Sequence, residues 1–155
     1  MANSQAMAST FKAELMKGSH ALGTQANNAV RTVVTKDVLK AALYLVTGVN
    51  GANTWHYGPT GEVSGTNYSA GGVVVTNATT PNIGGTTAFW TPSASIVYTN
   101  VTLATAFDAV TLYNDSSTLK LAISTHTFGS QTVTAGTFTL TMPTNDQTTG
   151  LLRIA

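Results

Sequence analysis

The clearest period in this chain is two. Thr137-Phe138-Thr139-Leu140-Thr141-Met142 alternates polar with apolar, which on a pleated strand puts Phe138, Leu140 and Met142 on one face and the threonines on the other. Leu119, Leu121 and Ile123 form a second inward row at the same spacing. The run from Phe107 to Tyr113 is broken only by Asp108 and Thr111, the pattern of a central strand covered on both faces. Val30-Arg31-Thr32-Val33-Val34-Thr35 is β-branched enough for another strand. Leu39, Ala41, Leu43 and Leu45 alternate as well, but Val38, Leu39, Ala42, Leu43 and Val46 fit a helical spacing, so periodicity leaves residues 36–46 open.

A helical period of useful length stands apart only over residues 9–17. Phe11 and Leu15 lie four apart on one face, Ser9 or Thr10 is placed to cap the start, and Gly18 stands where a C-terminal cap belongs. Residues 1–8 are small and polar, and are expected to be disordered unless a partner orders them. Turn signals at Asn50-Gly51, Gly58-Pro59, Pro81-Asn82, Gly84-Gly85, Asn114-Asp115 and Gly129-Ser130 separate the apolar runs. Short strands at this spacing predict a mainly β fold, an antiparallel β-sandwich of jelly-roll-like form or a barrel. An extended N-terminal arm carrying the short helix, residues 1–36, precedes the sandwich of residues 37–155.

At 155 residues and 16.0 kDa the chain is long enough for one domain with a core of its own. Only 8% of its residues are charged and the net charge is +1, against about 25% charged in ordinary soluble domains. Such a surface has little repulsion between copies, which favours self-association or docking into a larger assembly. Lys12, Lys17, Arg31, Lys36 and Lys40 lie early in the chain, opposed there only by Glu14 and Asp37. That asymmetry suits an arm lying on an acidic partner surface and is too dilute for a nucleic-acid patch, so no nucleic-acid partner is expected. The absence of cysteine excludes disulfides and thiolate metal sites. No signal-peptide pattern and no apolar run near the ~18 residues of a membrane span are found, so the expectation is a soluble chain without a membrane partner.

Candidate chemistry is sparse. His20, His56 and His126 lie far apart, none in a His-x-His or His-x-x-x-His pair, and His126 is expected to point outward from a strand. There is no nucleophile elbow, and Glu62, Asp108, Asp115 and Asp146 are too scattered to nominate an acid/base pair, so no catalytic residue, metal or cofactor is assigned. Trp55, Tyr57, Tyr68 and Trp90 lie in or beside predicted loops. Such rings serve either as glycan-stacking platforms or, with more weight, as packing under their own loops and at subunit interfaces. Gly61-Glu62-Val63-Ser64-Gly65-Thr66-Asn67-Tyr68-Ser69-Ala70-Gly71-Gly72 leads into Val73-Val74-Val75. Gly65 and the Gly71-Gly72 pair permit tight reversals, while the strand-then-helix context of a nucleotide loop is missing.

In order and spacing, Phe11-Lys12-Ala13-Glu14-Leu15, Lys40-Ala41-Ala42-Leu43-Tyr44 and the Gly61 to Gly72 loop resemble a family of small virion structural proteins of tailed bacteriophages. Downstream, Thr111-Leu112-Tyr113-Asn114, Thr134-Ala135-Gly136-Thr137-Phe138-Thr139-Leu140 and Leu151-Leu152-Arg153-Ile154 extend the resemblance over most of the chain. It departs where the family tends to carry an Asp-Phe-Gly turn; here Thr127-Phe128-Gly129 follows His126. The resemblance implies a strand at residues 36–46 and a place in the virion, assembled in the host cytoplasm. Low charge and the arm-plus-sandwich layout add a capsid decoration or cement role, with the major capsid protein as partner and a homo-oligomer, a trimer preferred. On that expectation Phe11, Leu15 and Leu22 anchor the arm on the shell, and Lys12, Lys17 and Arg31 meet acidic groups there. A neck, tail or fibre-attachment position is the second expectation, and a glycan-binding sandwich using Trp55, Tyr57 and Trp90 the third.

Overall fold

The structure, a computed structural model, describes residues 2–23, 35–76 and 79–155. Among them the chain forms β1 (Ala6–Met7), α1 (Ser9–Met16), β2 (Leu39–Leu45), β3 (Val73–Val74), β4 (Asn82–Gly84), β5 (Thr87–Trp90), β6 (Ile96–Asn114), β7 (Ala122–Leu140) and β8 (Leu152–Ile154). The fold is mainly β. A five-stranded sheet runs β1-β7-β6-β2-β3 and a three-stranded sheet β4-β5-β8, with every neighbouring pair antiparallel. The expected strand within residues 36–46 is therefore observed, as β2.

The β6–β7 hairpin carries the architecture. Phe128 and Phe138 lie ten residues apart on β7, which would be about 33 Å in a straight strand, yet their ring centroids are 5.4 Å apart, and both approach Phe107. The hairpin is thus folded over on itself. Its pairing register shifts repeatedly between Tyr98 and Ala109, and Asn100 and Ala135 adopt positive φ of 52° and 46°. Bulges bend and twist strands in this way. The bend encloses a core in which Leu39, Ala41 and Leu43 of β2 meet Tyr98, Leu103, Phe107 and Leu112 of β6, and to which Trp90 and Leu152 of the smaller sheet belong. On the other face of β2 and β6, Ala42, Tyr44, Ala109 and Tyr113 form a second cluster under Tyr57. Coverage on both faces is what the run from Phe107 to Tyr113, apolar apart from Asp108 and Thr111, implied.

Several expectations are corrected. Residues 2–23 do not project as an arm: β1 pairs with β7, Phe11 is 1% exposed and Leu22 is buried in the main core. The first residues are held as well, because the Asn3 amide donates to Asp108 at 2.6 Å and accepts from the Asn50 N–H at 3.0 Å. Helix α1 begins at Ser9 but without the expected hydroxyl cap, Ala8 occupying the N-cap position. Its far end follows expectation, since Gly18 takes φ 72° and the N–H groups of Gly18 and Ser19 donate to the carbonyls of Leu15 and Glu14, the two bonds of a Schellman closure. Leu119 is 60% exposed, outside the predicted inward row, whereas Ile123 is fully buried. Thr127-Phe128-Gly129 and the Gly129-Ser130 signal lie inside β7 and make no turn. His126 is turned inward rather than outward. The strand expected at residues 30–35 and the candidate anchor Arg31 fall outside the described residues, save for Thr35.

Candidate functional site

The glycine-rich loop closes the outer edge of β2 in two visits. On the first, Leu45 donates to the Gly61 carbonyl at 2.9 Å and Val63 to the Leu43 carbonyl at 3.0 Å. The loop then leaves β2 to pair Thr66 with Thr102 of β6, and returns as β3 opposite Lys40 and Ala41. This detour leaves main-chain groups of β2 without strand partners, and tyrosines supply them. The Tyr68 hydroxyl accepts from the Leu43 N–H at 3.0 Å and the Tyr98 hydroxyl donates to the Ala41 carbonyl at 2.8 Å. Pairing in this manner meets the requirement that buried backbone groups be satisfied.

Glu62 stands at the centre. Its carboxylate accepts from the Tyr57 hydroxyl at 2.6 Å, the Tyr68 hydroxyl at 2.8 Å and the Gly71 N–H at 2.7 Å. Tyr44 and Tyr113 complete the ring by donating to the carbonyls of Gly58 and Gly71. All five tyrosines of the chain are thereby tied to this loop or to the strand edge that it covers. The glycines are needed for the close approach: a Cβ on Gly72 would run into the Ala41 carbonyl, one on Gly65 into that of Thr102, and Gly61, Gly71 and Gly72 all hold positive φ.

Burial first, and the neighbouring Glu62 charge after it, push the phenols of Tyr44 and Tyr98 well above the usual range. Tyr57 and Tyr68 are raised for the same first reason, and Tyr113 is pushed up to about 12 by burial and then by Asp115. At neutral pH these groups are protonated donors: Tyr57 and Tyr68 share Glu62 as acceptor, and Tyr44, Tyr98 and Tyr113 donate to main-chain carbonyls. The arrangement fixes a shape; its groups are spent on one another and offer no free base or nucleophile.

A second polar knot fastens the N-terminal segment. His20, whose side chain is fully buried, meets Glu14 at 2.8 Å and the Asn114 amide at 3.3 Å; that amide also donates to Asp37 at 2.7 Å. Elsewhere, an open groove between the β1–β7 edge and β8 is lined by Ser124, His126, Gln147 and Arg153. The Ser124 hydroxyl and His126 Nε2 lie 2.8 Å apart, but Ser124 is 2% exposed and no carboxylate among the described residues orients the other ring nitrogen. Among the described residues no three His, Asp or Glu side chains gather to hold a metal, and no helix is long and apolar enough to cross a membrane.

The residues nominated from sequence are dispersed. Phe11 and Leu22 are in the core and Leu15 packs against it, while Lys12 and Lys17 are exposed on α1 and at its end, beside Met16 at 91% exposure. Tyr57 and Tyr68 belong to the Glu62 cluster, and Trp90 is buried with its indole N–H donating to the Thr79 carbonyl at 3.1 Å. Trp55 alone of the four rings keeps an open face, 47% exposed and tilted over His56. Sequence reasoning missed Tyr44, Tyr98 and Tyr113 as partners of the loop; the available signal was a lone glutamate in a glycine-rich stretch beside two tyrosines. Compared with protein-family models, curated proteins and solved structures, the chain finds no match.

Proposed function

We propose that this chain is a non-enzymatic structural protein of a phage virion, a decoration or cement protein that binds the major capsid protein and stabilises the head shell. The observation that carries the reading is the closure of the Gly61 to Gly72 loop, where the stretch central to the resemblance spends its carboxylate and phenols on holding β2. What remains outward is an almost uncharged surface, with 8% charged residues in the whole chain, of the kind that associates. The jelly-roll-like form of the sandwich belongs to this reading too. With Phe11 and Leu22 engaged internally, contact with the shell falls to the exposed face at α1, where Lys12, Met16 and Lys17 lie together. The glycan-binding alternative keeps only Trp55 as an open platform, because Tyr57 is stacked on Tyr113 at 4.7 Å and Trp90 is buried.

The test is the copy number of the protein per major capsid subunit in purified virions, by quantitative mass spectrometry. A simple integer ratio to the shell protein is expected. A handful of copies per particle would move the protein to the neck, tail or fibre attachment, and absence from the particle would overturn the virion reading. Reversing the charge at Lys12 and Lys17 to Glu is expected to abolish binding to isolated shells while leaving the melting temperature unchanged, since both side chains are exposed.

A further inference from the structure

The outer edge of β7 is closed by the chain's own segments only at its start. Trp55 to Tyr57 run beside Lys120 to Ala122, and β1 pairs with Ser124 and Thr125. From His126 to Leu140, among the described residues, no backbone hydrogen bond from another element reaches this edge. Soluble proteins blunt such edges with charge, proline or bulges. Toward the end of β7 none of these is present. Residues 121–145 contain no Asp, Glu, Lys or Arg, Pro143 lies beyond the strand, and the pairing of Ile96, Val97 and Tyr98 with Leu140, Thr139 and Phe138 is regular.

We infer that the Thr137 to Thr141 edge is a self-pairing site, where a second copy of this chain adds its own β7 antiparallel across a twofold axis at Thr139. The sequence here is self-complementary about that residue. Thr139 faces its own counterpart and Thr137 faces Thr141, so the exposed threonines form one cross-strand ladder, a favourable pairing. On the opposite face Phe138 meets Leu140 of the second copy, which covers two half-buried apolar side chains. With no charge on the edge, nothing opposes the approach of an identical strand. A twofold contact replaces the trimer preferred from sequence, and it stands whether or not the assembly is a virion.

The absence of cysteine from the chain makes the test clean. Facing Cβ atoms across such a pair lie about 4.5–5.5 Å apart, close enough for oxidation to join them. Thr139→Cys is expected to give a disulfide-linked dimer on oxidation, while Thr60→Cys, also exposed, stays monomeric on a denaturing gel. Thr139→Lys opposes two like charges on the axis and is expected to weaken dimerisation roughly ten-fold or more by sedimentation velocity, with circular dichroism unchanged. A wild-type chain that sediments as a monomer at high concentration overturns the inference, as does a trimer. A dimer that Thr139→Lys leaves intact and Thr139→Cys does not cross-link places the contact elsewhere and overturns it equally.

Discussion

Glu62 holds three donors with one carboxylate, so its removal should be felt well beyond its own size. Glu62→Ala leaves two phenols and the Gly71 N–H without their acceptor, and is expected to cost roughly 3 kcal/mol in urea denaturation. Glu62→Gln, which keeps an acceptor oxygen, should cost less than half of that. The tyrosines give the fold an alkaline limit. Their folded pKa values lie above the ordinary 10, so their contribution is complete below pH 10 and is lost as pH rises beyond it. Absorbance at 295 nm should therefore show all five phenols ionising together in one cooperative unfolding step; gradual ionisation of a folded protein would contradict it. His126 sets the opposite limit. Burial lowers it from 6.5 to about 4, so its neutral form is favoured by folding and stability falls as pH drops through that window. The loss is on the order of 3 kcal/mol at most, and His126→Gln should flatten the pH dependence of the urea midpoint between those values.

Elements were readable where a local rule decided them. The end of α1 followed from Gly18, and Gly18→Ala is expected to lower stability by about 1 kcal/mol because the left-handed φ is then strained. Strands β6 and β7 followed from apolar runs or alternation, whereas periodicity left β2 open between helix and strand and only the resemblance pointed to a strand there. The start of α1 at Ser9 was read correctly but its cap was not, because Ser9 already lies in the helix, with its N–H bound to the Ala52 carbonyl, and Ala8 takes the N-cap position. The turn foreseen at Gly129-Ser130 failed for a longer-range reason. Phe128 packs in the aromatic cluster with Phe107 and Phe138, and that tertiary contact keeps the segment extended despite its glycine. The loop glycines were recognised as backbone devices, but what they approach was not, since the carbonyls of Ala41 and Thr102 come from distant strands. Gly72→Ala is expected to cost at least ~2 kcal/mol or to prevent folding, as it combines a positive φ with a main-chain collision.

The two halves of the chain are joined by contacts that no local pattern announces. Deleting residues 1–23 would remove Phe11 and Leu22 from the core together with the knot of His20, Glu14 and Asn114, so a sharply lower melting temperature is expected. Sequence reading took the same residues for a free arm because a short amphipathic helix looks alike whether its stripe meets its own sheet or a neighbour. The pairing of Ala6 and Met7 with Thr125 and Ser124 also bears on birth at the ribosome. The first strand emerges well over one hundred residues before its partner. At roughly 5–20 residues per second it must wait on the order of ten seconds, unpaired, while the rest is made. Only when the long hairpin has emerged can β1 take its place beside β7, so a segment made early docks late.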